Sequence, residues 1–331
     1  MRILIDAMGG DHAPKEIVKG TVHAAQEWDH SFVLYGDEAA IKKELSNYQY
    51  PEERIDIVPT TEIVYNTDDP AKVIRRKKDS SMIRALKDLK EDSDAVLVSA
   101  GSTGALLAGG TLLIGRIPGI QRPALTVAFP KDKGMMLLLD VGANVDCKPL
   151  YLQQFALMAS VYAGNTLGID DPKVGLINIG TEENKGNSLV KETFPLLKES
   201  PVNFIGNVES RDLMESDADI LVCDGFTGNI ILKLVEGLSG YLFSSLKGSM
   251  TQNTKSKVGA LLLKPALKEF KAKFDYNQYG GAPLLGIKSG VIKAHGSSNH
   301  VAFYHALRQA VLFHENKVIE KISDLTKKEK E

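Results

Sequence analysis

A chain of 331 residues, 43% hydrophobic and 25% charged with a formal net charge of -2, carries enough apolar material for a substantial core and no charge excess that would favour nucleic acid. Its two cysteines, Cys147 and Cys223, are too few and too isolated for a disulfide framework or a zinc site. The start, MRILIDAMGG, enters a strand without a signal-type apolar core, and no stretch approaches the ~18 consecutive apolar residues of a membrane-spanning helix, so the expected location is cytoplasmic.

In chain order, short β-branched runs alternate with polar or Gly-rich turns and longer stretches of helical spacing. The runs are RILIDA (2–7), SFVLYG (31–36), RIDIVPT (54–60), DAVLVSAG (94–101), KVGLINIG (173–180) and ADILVCDG (218–225). This alternation predicts a parallel sheet covered on both faces by helices. RPALTVAFPKDKGMMLLLDVGAN breaks it: two strands joined by the PKDKG turn predict an antiparallel hairpin, hence a mixed, mostly parallel sheet. The expected architecture is a single three-layer α/β/α domain over 1–331, with a frayed tail at 325–331.

Ligands of open α/β sheets bind beyond the carboxyl ends of the strands. Small, polar handovers stand there: DAMGGDHAP (6–14), SAGSTGA (99–105), DVGANVDCKP (140–149), NIGTEENKGN (178–187) and DGFTGN (224–229). Each opens a helix with free N–H groups beside Ser, Thr or Asn, an anion-binding arrangement. The same residue types also make ordinary turns and N-caps, so any one handover carries either reading; together on one sheet edge they favour a site. Lys185 sits in such a loop and would add a point charge to a bound phosphate, the alternative being a solvated lysine beside Glu182 and Glu183. His295, in KAHGSSN (293–299), ends a strand-like run just before a Ser/Asn-capped helix, where a general acid or anion donor could sit.

Several known motifs are missing. There is no G-x-x-x-x-G-K-[ST] phosphate loop, no G-x-G-x-x-G after the first strand, and no G-x-S-x-G around Ser102. A metal-dependent decarboxylating dehydrogenase would need a concentrated arginine set that the chain lacks. A non-catalytic carrier or lipid-binding module would leave the polar strand ends unexplained.

DAMGGDHAP, KKDSSM (77–82), SAGSTGA, DVGAN, NIGTEENKGN, DGFTGN, YGGAPLLGI (279–287) and HGSSN, in this order, resemble the bacterial phosphate:acyl-[acyl-carrier-protein] acyltransferases of phospholipid synthesis. The resemblance implies a fold similar to the isocitrate/isopropylmalate dehydrogenase class and a homodimer. It also implies formation of acyl phosphate from acyl carrier protein thioester and inorganic phosphate, for use by a membrane glycerol-3-phosphate acyltransferase. It implies no cofactor and no metal, the phosphopantetheine of the carrier protein being part of a substrate. Phosphate itself is then the nucleophile, so the enzyme must orient it, stabilise the oxyanion and exclude water. On this reading Lys185 and Asn187 hold phosphate, Asn144 or Asn229 donates to the oxyanion, and His295 protonates the leaving thiolate. Ser102, Thr103, Gly104, Thr227, Gly228, Ser297 and Asn299 complete phosphate and thioester binding, while Asp6, Asp140 and Asp224 orient donors. A covalent alternative would place the acyl group on Cys147, beside Lys148 at a helix start, where a thiol pKa falls.

From 227 to 274 the chain predicts a protruding helical pair. Ile230, Leu234, Leu238, Leu242 and Leu246 form one apolar stripe. In the second helix Leu262, Leu263, Ala266, Leu267, Phe270 and Phe274 oppose Lys264, Lys268 and Lys271, and Pro265 should kink or divide it. This basic amphipathic surface suits a dimer partner, acidic acyl carrier protein or an anionic membrane, which would associate the protein peripherally with the inner face of the cell membrane. Arg75, Arg76, Lys77 and Lys78 offer a second carrier-docking surface or an ordinary solvated face.

Overall fold

The computed structural model describes residues 1–131, 134–273 and 280–328, the side chains of 269, 271–273 and 328 excepted. Phe274, Tyr279, the middle of the PKDKG turn, residues 329–331 and the side chain of Lys271 lie outside the described residues.

The apolar runs become β1 (Arg2–Asp6), β2 (Ser31–Gly36), β3 (Ile55–Pro59), β4 (Ala95–Ser99), β5 (Ala124–Leu125), β6 (Val127–Pro130), β7 (Met135–Leu139), β8 (Lys173–Asn178), β9 (Asn203–Glu209), β10 (Ile220–Val222), β11 (Ala282–Leu285) and β12 (Gly290–Lys293). They are covered by α1 (Lys15–Glu27), α2 (Glu38–Leu45), α3 (Pro70–Arg76), α4 (Ser81–Glu91), α5 (Thr103–Gly109), α6 (Pro149–Tyr162), α7 (Ser188–Glu199), α8 (Gly225–Met250), α9 (Thr254–Lys273), α10 (His300–Glu315) and α11 (Val318–Lys328). Strands and covering helices give the expected mostly parallel α/β architecture.

The ladders divide between two sheets, in the orders β3-β2-β1-β4-β12-β11-β5 and β6-β7-β10-β8-β9, where one large sheet is expected from the sequence. The division has a local cause. β5 and β6 are one extended run interrupted at Thr126; β5 pairs antiparallel with β11, whereas β6 pairs antiparallel with β7. The predicted hairpin therefore forms, but it carries the chain out of the first sheet and into the second.

Side chains alternate across the first sheet as strand geometry demands. Ile3, Ile5, Phe32 and Val98 face α1 and α10 and join a core that continues through α6 to Leu139, Leu176 and Val222 of the second sheet. Leu4, Leu97 and Val291 face the other way, onto Met82, Ile83 and Leu86 of α4. The shared core locks the two sheets together, and thereby fixes where their carboxyl ends meet.

α9 is continuous as a helix across the exposed Pro265, so of the two outcomes expected there, a kink or a division into short pieces, the division does not occur. The tail expected to fray from 325 is helical to Lys328, because Thr326 is buried and its hydroxyl donates to the Pro118 carbonyl at 3.0 Å.

One buried carboxylate fastens the second sheet to the cavity described below. Asp140, directly after β7, is 0% exposed, and its oxygens accept from the backbone N–H groups of Leu125 (3.1 Å), Ala143 (3.0 Å) and Asn144 (2.6 Å) and from Asn144 Nδ2 (2.9 Å). The start of α8 presses on the same turn, and only glycine permits it: a Cβ on Gly228 would lie 1.9 Å from the Asp140 carbonyl oxygen. Asp140→Asn would turn an NH2 group onto converging N–H donors. Urea unfolding of this variant is expected to show a loss of roughly 2–4 kcal/mol.

Candidate active site

The strand ends of both sheets open into one cavity of about 300 Å³. Thr103 and Gly104 from SAGSTGA line it, with Val141 and Gly142 from DVGAN, Gly225, Phe226 and Asn229 from DGFTGN, Gly281 from the YGGAP segment and His295 from HGSSN. Leu125, Val127, Val145 and Leu232 add an apolar wall, and Lys233, Glu236 and Lys293 add charge. Motifs scattered from the first to the last third of the chain thus meet in one concave, half-apolar site of the kind that holds small ligands.

The motifs that do not line the cavity support it. Asp6, at the end of β1, is buried and receives the hydroxyls of Ser81 (2.5 Å), from KKDSSM, and Ser99 (2.7 Å), from SAGSTGA. A Cβ on Gly9 would lie 2.4 Å from its carboxylate, which explains a glycine in DAMGG. Burial pushes the Asp6 pKa above the usual carboxylate range, and the two serine hydroxyls oppose that. Strand register aligns Asp6 with Ser99 and Ser99 with Lys293, so all three stand on one rung at the carboxyl edge.

Lys293 was not anticipated from the sequence. It is 9% exposed, and its Nζ donates to the carbonyls of Ala100 (3.4 Å) and Ala294. Burial lowers its pKa to about 8, with Asp6 opposing the shift. The signal was present: a lysine ends an otherwise apolar strand, GVIK, immediately before AHG.

His295 lines the cavity as expected. Ser297 N–H donates to its Nδ1 (3.2 Å), which makes Nδ1 an acceptor and leaves the proton of the neutral ring on Nε2. Ser297 Oγ is 2.8 Å from the same nitrogen. Nε2 lies 3.8 Å from Glu236 Oε1, while Glu236 Oε2 holds Lys233 at 2.7 Å. Burial holds the His295 pKa below the usual histidine value, Glu236 opposing. The cavity therefore contains a neutral imidazole that can donate through Nε2.

The remaining expected residues separate into two groups. Asn229 lines the cavity beside Gly142. Asn144 is close by, but its amide donates to the Pro123 carbonyl (2.7 Å) and to Asp140 (2.9 Å), so it orders the turn. Ser102, Asn187 and Asn299 accept from Ala105, Val190 and Ala302 N–H as N-caps of α5, α7 and α10. Thr227 gives its hydroxyl to Asp224 at 2.8 Å. Lys185 is exposed and does not line the cavity, because its loop follows β8, one strand beyond β10. That loop is instead closed on itself, Asn178 Nδ2 reaching the Lys185 carbonyl (3.1 Å) and Asn207 Nδ2 that of Glu182 (2.9 Å).

The thiols are unsuited to nucleophilic work. Burial, with Asp140 nearby, pushes the Cys147 thiol up to about 12, and burial also raises the Cys223 thiol well above its ordinary value. The lowered thiol pKa that the covalent alternative requires at Cys147 is thus absent, since burial first, and Asp140 with it, act against the thiolate. Iodoacetamide at pH 8 is expected to alkylate Cys147 at least tenfold more slowly than a free cysteine peptide, followed by mass spectrometry. Among the described residues no group of three or more His, Cys, Asp or Glu side chains could hold a metal ion.

Comparison with known proteins identifies the family. The model of the fatty acid synthesis protein family matches residues 1–321. The phosphate acyltransferase of Alkaliphilus oremlandii is 54% identical over 98% of this chain and 97% of its own, and that of Clostridium acetobutylicum 52% identical over 98% of each. Among solved structures, EutD phosphotransacetylase from Staphylococcus aureus superposes with a TM-score of 0.60 at 15% identity, covering 96% of this chain and 94% of its own. A branched-chain phosphotransacylase from Enterococcus faecalis gives 0.57 at 17%, covering 95% and 99%; at these identities the two structures share the fold. With a family model spanning nearly the whole chain and relatives at half identity, the chain belongs to the fatty acid synthesis protein family, as an acyltransferase among its phosphate acyltransferases.

Proposed function

We propose that the enzyme makes acyl phosphate from acyl-acyl carrier protein and inorganic phosphate by direct attack of phosphate on the thioester, in the service of phospholipid synthesis. The observation that carries this reading is the cavity itself: an apolar wall beside Asn229, a neutral His295 donor and a buried cation, with no activated thiol. A phosphate oxygen forms the new bond to the acyl carbon and the C–S bond breaks. The electron pair leaves with sulfur, the proton lost by phosphate is the one the thiol gains, and the neutral His295 ring steadies the departing sulfur with a hydrogen bond from Nε2. Asn229 donates to the oxyanion. Lys185, exposed one strand away, draws phosphate toward the site by its charge.

Purified protein with palmitoyl-acyl carrier protein is expected to release free carrier thiol only when phosphate is present, with one acyl phosphate per thiol. Asn229→Ala should lower kcat about 100- to 1,000-fold. Lys185→Ala should lower kcat/KM for phosphate at low ionic strength and differ less from the intact chain as salt rises. Thiol release that ignores phosphate would defeat the acyltransfer reading.

The helical pair supports a second, spatial part of the proposal. Leu234, Leu238, Leu242 and Leu246 of α8 are 42–64% exposed, and Leu261 and Leu262 of α9 are 69% and 77% exposed. An apolar surface of that extent marks a partner or a membrane. We assign the α8 stripe to a homodimer and the tip of α9, with Lys264, Lys268 and Phe270, to an anionic bilayer or to acidic acyl carrier protein. The protein thereby works in the cytoplasm against the inner face of the membrane, where a glycerol-3-phosphate acyltransferase takes its product. No helix of the described residues is long and apolar enough to cross a bilayer. Of the alternative basic cluster, Lys77 is engaged by Asp68 (2.6 Å) and the Ile63 carbonyl (2.8 Å), leaving Arg75, Arg76 and Lys78 exposed. The double variant Leu238→Glu/Leu242→Glu is expected to halve the mass seen by light scattering, and Leu262→Asp to lose co-sedimentation with phosphatidylglycerol vesicles while staying dimeric.

A further inference from the structure

We infer that Lys293 is the cation that seats the phosphate nucleophile in the cavity, a role that rests on the acyltransfer reading above and names the group that binds its second substrate. The argument begins from valence. An ammonium has three N–H donors; Lys293 gives two to the carbonyls of Ala100 and Ala294, at the ends of β4 and β12, which leaves one for a ligand. Those carbonyls belong to the strand edge, so the nitrogen is fixed against the cavity rather than swinging on a flexible stem.

Its charge is equally unusual. Lys233, the other lysine of the cavity wall, is neutralised by Glu236 at 2.7 Å. Asp6 stands on the same rung as Lys293, but its two oxygens are turned to the hydroxyls of Ser81 and Ser99. Asp6 and Asp11 therefore act on Lys293 through their field without an ion pair among the described residues, Lys233 repels it, and His295 beside it is neutral. A buried cation without a contacting counter-ion calls for an anion, and phosphate is the anion that the reaction consumes. The serines keep Asp6 from filling that place. Asp6, Ser81 and Ser99 are thus positioning residues that hold the countercharge at a distance.

The pH dependence follows. Lys293 loses its proton as pH rises through about 8, and phosphate, already a dianion there, then meets a neutral amine. The intact enzyme should show kcat/KM for phosphate falling tenfold per pH unit above that point, while KM for acyl-acyl carrier protein changes little. Lys293→Met, judged folded by circular dichroism and its melting transition, should lose at least 100-fold in kcat/KM for phosphate with KM for the acyl carrier substrate within threefold of the intact chain. A folded Lys293→Met with kcat/KM for phosphate within threefold of the intact enzyme would overturn the assignment. If that variant does not fold, the intact enzyme decides: a profile flat from pH 7.5 to 9.5 overturns it equally. Absence of phosphate-dependent thiol release in the intact enzyme is a different result, the failure of the acyltransfer reading itself.

Discussion

A carboxylate taken out of water has to be met by donors, and this protein buries one beside its cavity in each of its two sheets. Asp140 gathers backbone N–H groups from Leu125, Ala143 and Asn144, so that one side chain fixes the end of β5, the turn after β7 and, through the glycines of α8, the helix that forms the cavity wall. Asp6 gathers hydroxyls from α4 and β4. Much of the polar chemistry at the ends of β1, β4 and β7 is accounted for by these two carboxylates. The cavity is what remains between them, and its shape is set by the donors each one needs.

α8 links this chemistry to the surface. Its first turns supply Asn229, Lys233 and Glu236 to the cavity, and the same helix continues as an exposed leucine stripe toward α9. A rigid helix transmits displacement along its length, so a partner seated on the stripe would bear on the residues that line the cavity. That continuity gives a physical reason for joining the apolar arm to the site in one element instead of attaching it by a loop.

Much of the fold was legible because period and punctuation agree. β1, β2, β4, β8 and β10 are β-branched runs ended by Gly or Asp, and the hairpin of β6 and β7 is flagged by its turn. The division into two sheets was not, since Thr126 carries no mark that the ladder changes partner there. The same asymmetry governs the site. Residue types announce a donor or a charge but not its direction, so Lys185, conspicuous in a Gly/Asn loop, lies outside the cavity, while Lys293, hidden in an apolar run, lines it. Asn144 shows why: an amide at a strand end looks available until the carbonyl of Pro123 is seen to take it. Long-range register, which brings Asp6, Ser99 and Lys293 onto one rung, cannot be read from local pattern.

The electrostatic character of the cavity bears on which group attacks. Burial, with carboxylates nearby, raises the Cys147 thiol, and burial raises Cys223 as well, so an acyl-enzyme on either sulfur would first require removal of a proton that the surroundings hold. The opposite holds for a nucleophile that arrives already ionised. On the proposed reading phosphate would enter as a dianion, drawn by Lys293, the one cation of the wall among the described residues that lacks a contacting carboxylate, and would lie against apolar side chains that keep water from competing. The same burial that silences the thiols sharpens the interaction of Lys293 with an anion, because both effects come from the low dielectric at the meeting of the two sheets.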